Sequence, residues 1–131
     1  HIHDRRQRQM CIRDRINDDY ACHKTRYVYA GIFNRERAFT FDGLMKYDNE
    51  SGVTTEFTYG PQRHGGEAVF APKTSGNSED EGYLVCFIHD EANDQSECLI
   101  LDAQNLGEGP VATIIMPFRV PYGFHAGWVS A

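Results

Sequence analysis

The spacing of the β-forming runs constrains this chain more than any other feature of its sequence. Short stretches rich in Val, Ile, Thr, Tyr and Phe recur roughly every dozen residues, separated by Gly, Pro, Asn and Asp. Tyr27 to Ala30 is the first run, and Leu44 to Tyr47 follows Asp42-Gly43, which reads as a turn. Asn49-Glu50-Ser51-Gly52 makes a hairpin loop into Thr54 to Tyr59. Glu67 to Ala71 comes next and is stopped by Pro72. A polar, acidic loop from Lys73 to Gly82 leads into the most hydrophobic run, Tyr83 to Ile88, whose expected partner is Glu97 to Leu101 across a turn at Asp90 to Gln95. Val111 to Met116 follows the break at Gly107-Glu108-Gly109-Pro110, and Phe124 to Val129 makes a last short strand. Helical periodicity is almost absent. The expectation is an all-β fold, with sandwich, barrel and propeller blades all compatible with the spacing. Eight strands divide naturally into two four-stranded blades.

Residues 1–15, HIHDRRQRQMCIRDR, break the pattern with five arginines and no turn chemistry. Composition alone allows a basic arm for nucleic acid, and the stretch lacks the apolar core of a secretory signal. Arg5 to Arg15 resembles the conceptual translation of a transposase-type sequencing-library adapter. Residues 1–15 are therefore read as a non-native, adapter-derived segment, with Arg15 the one position shared with native sequence, and 16–131 as the native part.

The full chain has 131 residues and a formal charge of −6, from 13 Lys+Arg and 19 Asp+Glu. Setting aside the five arginines and two aspartates of the segment leaves 8 and 17, a net charge of −9. That balance excludes a nucleic-acid surface, which requires a concentrated basic stripe. No apolar run approaches the roughly 20 residues of a membrane-spanning helix. Cys22, Cys86 and Cys98 have no paired spacing, so the expected setting is reducing and cytoplasmic.

There is no phosphate-binding Gly-rich loop, Cys-x-x-Cys pair, His-Glu-x-x-His helix or Gly-x-Ser-x-Gly elbow. The concentrated signal lies at Arg119 to Trp128, RVPYGFHAGW. Here a Pro and a Gly bend the backbone just before His125, which small residues follow. A lone histidine in such surroundings is more often a hydrogen-bonded core residue than a ligand. The counterweight is Gly65-Gly66-Glu67-Ala68-Val69-Phe70, where a carboxylate opens an apolar run and an unpaired charge would be costly. A histidine paired with such a carboxylate is the usual outer arrangement of a metal ligand.

The segments VPYGFHAGWV, GGEAVFAP, DEGYLVCFIHD, SECLILDAQ and GLMKYD, with INDDY and KTRYVYAG near Ile16, closely resemble the carotenoid cleavage oxygenases. That family includes apocarotenoid and lignostilbene dioxygenases and the retinal-pigment isomerase. The likeness covers essentially all of residues 16–131, in order.

The resemblance implies the C-terminal part, about two blades, of a seven-bladed β-propeller. It also implies Fe(2+) on the propeller axis, held by four histidines, three of them oriented by outer glutamates. His125 matches the last iron ligand, and Glu67 matches the glutamate that hydrogen-bonds it. The other three ligands, and a glutamate before a Phe-Pro-Arg element whose arginine coincides with Arg15, are expected upstream of Ile16. His23, His64 and His89 match no ligand position and are expected at the surface or rim. The implied reaction is dioxygenase cleavage of a conjugated C=C bond of a carotenoid, apocarotenoid or stilbene into two carbonyl products. The partners implied are a lipophilic polyene or stilbene and O2, without nucleic acid, and with peripheral membrane contact left to regions outside this chain. An isolated piece with one ligand is expected to be inactive. The alternatives are an isomerase or hydrolase of the same family and a non-catalytic β-propeller binding module.

Overall fold

A computed structural model of the chain describes residues 15–37, 39–123 and 125–131. Eight strands form one open antiparallel sheet: β1 (Tyr27–Phe33), β2 (Phe41–Asp48), β3 (Thr54–Thr58), β4 (Arg63–Gly65), β5 (Val69–Pro72), β6 (Gly82–Asp90), β7 (Gln95–Asp102) and β8 (Pro110–Ile115). The helical content among the described residues is two short 3-10 turns, Asp18–Tyr20 and Leu106–Glu108.

The sheet consists of two meanders. β1, β2 and β3 form the first, and Arg15 extends it through a backbone bridge to Tyr29, with N–O distances of 2.7 and 2.8 Å. β5, β6, β7 and β8 form the second, a complete four-stranded unit. The short β4 links them, pairing Gly65 with Phe41 of β2 and Arg63 to Gly65 with Ile88 to Asp90 of β6.

Six of the eight expected runs are strands where the β-rich pattern placed them, and the β6–β7 pairing is as expected. Three positions differ. Asp42-Gly43 is not a turn but lies within β2: Ile32 pairs with Gly43 and Phe33 with Phe41, so Asp42 is the extra residue of a bulge. A Cβ at Gly43 would stand 2.2 Å from the Phe57 carbonyl oxygen, so this close approach of β3 excludes any side chain. Glu67 does not open a strand, because β5 begins at Val69 and Glu67 sits in the link from β4. Among the described residues no strand follows Ile115: residues 125–129 are irregular, and Phe124 lies outside the described residues. The eighth strand is instead β4, too short for its periodicity to register in the sequence.

The core joins the two meanders. Phe41, Leu44, Leu84, Ile88, Leu99, Leu101 and Leu106 are fully buried, and Tyr29 of β1 stacks on Phe70 of β5 at 5.4 Å between centroids. The acidic loop after β5 adds a polar latch. Asp80 Oδ2 accepts from Lys46 Nζ of β2 at 2.7 Å, and the same ammonium donates to the Ala103 carbonyl at 2.9 Å and lies over the Tyr27 ring. The Glu79 carboxylate accepts the backbone N–H groups of Arg26 and Tyr27 at 2.9 to 3.0 Å. A loop whose composition suggests solvation thus docks onto the start of β1.

Candidate functional site

Glu67 is held in place through β6. The strands on either side of it, β4 and β5, both pair with β6, and the Gly66 N–H donates to the Phe87 carbonyl at 3.2 Å. Its carboxylate is buried, 5% exposed.

The C-terminal segment returns over this position. Met116 N–H donates to the Ser96 carbonyl and Val120 N–H to Ser96 Oγ, both at 2.9 Å, anchoring the segment to β7. At Gly123 the backbone packs directly on Gly66, where a Cβ would meet the Gly123 oxygen at 3.0 Å and nitrogen at 3.1 Å. Gly66 therefore admits the segment, and the chain runs on so that Ala126 N–H donates to Glu67 Oε2 at 3.1 Å.

His125 is brought to the same carboxylate, its Nδ1 lying 3.5 Å from Glu67 Oε2. The imidazole is 74% exposed, not enclosed by the apolar surroundings that its neighbours in sequence suggest. Arg15 completes the group, its guanidinium donating to Glu67 Oε2 and, at 3.0 Å, to the Ala126 carbonyl.

An imidazole whose Nδ1 faces a carboxylate presents Nε2 as its free donor, the disposition of a metal-ligating histidine with an outer-sphere acid. The donor chemistry thus fits one corner of a metal site. Among the described residues no three His, Cys, Asp or Glu side chains gather to hold an ion.

The other histidines among the described residues, His23, His64 and His89, make no ion pair or hydrogen bond to Glu67. His23 is exposed, as expected. His64 is not a surface residue: its side chain is 12% exposed, and its Nδ1 lies 2.7 Å from Oδ1 of Asp42, the bulge residue, which also accepts from Asn34 at 2.8 Å. His89 is also misplaced by the rim expectation. It is 2% exposed, with Nδ1 3.2 Å from Ser96 Oγ and Nε2 3.3 Å from Asp94 Oδ1. The C-terminal segment covers this end of β6, with Tyr122 meeting His89 edge-on, so both faces of the strand are buried there. No local pattern in β6 announces that cover. Burial pushes the Cys86 thiol up to about 12 and raises Cys98, so neither offers a thiolate near neutral pH.

The family model described as Retinal pigment epithelial membrane protein matches residues 8–130. The carotenoid 9,10(9',10')-cleavage dioxygenase of Crocus sativus is 40% identical, and a chloroplastic 9-cis-epoxycarotenoid dioxygenase of Arabidopsis thaliana is 41% identical. Each aligns with 88% of this chain, which covers 24% and 19% of their lengths. The cobalt-substituted Synechocystis apocarotenoid oxygenase superposes on 90% of this chain with a TM-score of 0.82 at 31% identity, the match covering 25% of that structure. The all-β reading and its assignment to part of a β-propeller hold. The chain spans about a quarter of the length of most relatives it matches. With an open antiparallel sheet that overlays on an apocarotenoid oxygenase, and a sequence matched almost end to end, this chain belongs to the Retinal pigment epithelial membrane protein family, which includes the carotenoid cleavage dioxygenases.

Proposed function

We propose that the protein carrying this chain is an Fe(2+)-dependent oxygenase that splits a conjugated C=C bond of a carotenoid, apocarotenoid or stilbene into two carbonyl products. The observation that carries the reading is the likeness, 40% and 41%, to two enzymes whose names describe carotenoid-cleaving or epoxycarotenoid dioxygenases. The convergence of His125 and Glu67 supports it from this chain's own residues.

In this reading His125 supplies one imidazole donor of four, the others coming from outside residues 16–131. Iron held there would supply the activation of dioxygen. Glu67 Oε2 lies 3.5 Å from Nδ1 of His125 and would orient the ring so that Nε2 is left for the metal, while the burial of the carboxylate keeps water from competing for it. Gly66 and Gly123 set the backbone approach that brings the two together. The substrates fitting this chemistry are lipophilic polyenes or stilbenes, with O2 as co-substrate.

Arg15 aside, residues 1–15 are assigned no part in the reaction. Resequencing the gene across residues 8–16 tests the foreign origin of the segment, since the family match begins at residue 8. The free cysteines Cys22, Cys86 and Cys98 favour a reducing compartment, the cytoplasm in this proposal. No helix among the described residues is long and apolar enough to cross a membrane.

The test is the full-length protein, assayed for iron per chain and incubated with an apocarotenal or a hydroxystilbene under an oxygen electrode. One iron per chain, oxygen uptake and two carbonyl products are expected, and His125→Ala should lose the iron. An iron-free protein, or one that isomerises the polyene without oxygen uptake, would overturn the proposal.

A further inference from the structure

We infer that Arg15 is a positioning residue of the metal site, clamping Glu67 and the peptide after His125 into one unit. The inference rests on the reading of His125 as an iron ligand. Three segments distant in sequence meet here. Arg15 comes from the stretch bridged to β1, Glu67 from the link between β4 and β5, and Ala126 from the C-terminal segment.

The contacts close a ring. The Arg15 guanidinium donates to Glu67 Oε2 and to the Ala126 carbonyl at 3.0 Å, and the Ala126 N–H donates back to Glu67 Oε2 at 3.1 Å. Both polar groups of Ala126 are thereby fixed, and with them the peptide that follows His125 and the direction of its Cα–Cβ bond. Nδ1 of His125, at 3.5 Å from the same oxygen, is at the outer limit of a hydrogen bond. The carboxylate alone therefore holds the imidazole weakly.

Arg15 is itself anchored, its backbone making both hydrogen bonds of a bridge to Tyr29, whose ring stacks in the core on Phe70. Glu67 is 5% exposed, and a carboxylate so buried requires a cationic partner. A guanidinium meets that need, and both bonds leave the one nitrogen Nη2, whose two N–H groups are fixed in the guanidinium plane and so set the directions of both acceptors, whereas the protons of a lysine ammonium rotate freely.

The test uses the full-length protein with Arg15→Met, Arg15→Lys and Glu67→Gln. Metal affinity is read by chelator competition, ligand geometry by the visible spectrum of the Co(2+)-loaded form, and folding by the Tm of the metal-free form. Arg15→Met should weaken Co(2+) binding about 10-fold, the lower end of the effect of outer-sphere partners. It should also alter the cobalt spectrum, and add little in a Glu67→Gln background. Arg15→Lys should restore part of the affinity and not the wild-type spectrum. Wild-type affinity and spectrum in either Arg15 variant, or full additivity with Glu67→Gln, would overturn the inference. If Arg15→Met does not fold, Arg15→Lys decides by the same readouts. A wild-type protein that binds no Co(2+), or binds it equally well as His125→Ala, defeats the metal-site reading itself and is distinguished in that way from failure of the Arg15 role.

Discussion

The backbone of Gly123 lies directly against Gly66, so close that a Cβ on Gly66 would stand 3.0 Å from the Gly123 oxygen and 3.1 Å from its nitrogen. This contact seats the segment carrying His125 above Glu67. Because the opposing atoms are backbone, a methyl group there can be admitted only by moving the segment. Gly66→Ala should cost about 1–3 kcal/mol, as overpacking does, and should weaken metal binding of the full-length protein by roughly 10-fold. Urea unfolding and chelator competition check the two effects.

Lys46 of β2 and Asp80 of the loop before β6 form a well-enclosed ion pair, and Lys46 also satisfies the Ala103 carbonyl. Lys46→Met leaves the Ala103 carbonyl without this donor and the Asp80 carboxylate without its cation, with Ser78 and Gln104 still donating to Asp80, and a loss of about 3 kcal/mol is expected. Replacing both partners, Lys46→Met with Asp80→Leu, should recover part of that loss, because no charge then remains buried. Chemical unfolding of the single and double variants measures the difference.

Acid should unfold the protein through its paired carboxylates. Burial raises the Asp80 carboxyl, but hydrogen bonding and charge from Lys46, with Gln104 and Ser78, overcome this and hold it below the usual range. Arg26 holds Asp48 well below that range, the Asn93 side chain and nearby N–H groups lower Asp90, and Arg37 lowers Glu91. Groups depressed on folding contribute stability that is fully present above their unfolded values, near pH ~4, and is lost as pH falls through the folded ones. Tm should therefore be nearly flat from pH 7 to about 5 and fall steeply below about 4. Asp80→Asn should make that fall shallower, which a Tm series in pH reads directly.

The outer strand β8 is exposed along its whole length, and Val111, Ile114, Ile115 and Phe118 present apolar surface beside an edge that no other described strand pairs. The 131-residue chain by itself should therefore self-associate at micromolar concentration, since such edges template further pairing. Ile114→Lys should reduce that association without disturbing β7, whose pairing to β8 is through backbone groups. Sedimentation velocity across a concentration series distinguishes the two chains.

Much of the fold follows from local rules. The β2–β3 hairpin is readable because Asp48 to Gly52 carries its own turn chemistry, with Asp48 accepting the N–H groups of Glu50 and Ser51. The β6–β7 pair is readable because both runs are long, apolar and joined by a short polar turn. Asp42-Gly43 misleads because the same two residues serve a turn or a bulge, and only the partner strand chooses between them. The last run, Phe124 to Val129, misleads because residues such as Trp128 and Val129 also occur in exposed, irregular chain, where both lie here.

From residues alone came the all-β class, most strand positions, and the singling out of Glu67 and His125 as a carboxylate and an imidazole in unusual surroundings. Those properties reside in neighbouring residues, where periodicity, turn chemistry and the cost of an unpaired charge act over a few positions. Tertiary structure alone decided that Glu67 and His125 meet, that Arg15 joins them, that His89 is buried under Tyr122, and that the acidic loop latches onto Lys46. Each of these depends on strand register and on which segment covers which face, and both are settled by burial across the whole sheet.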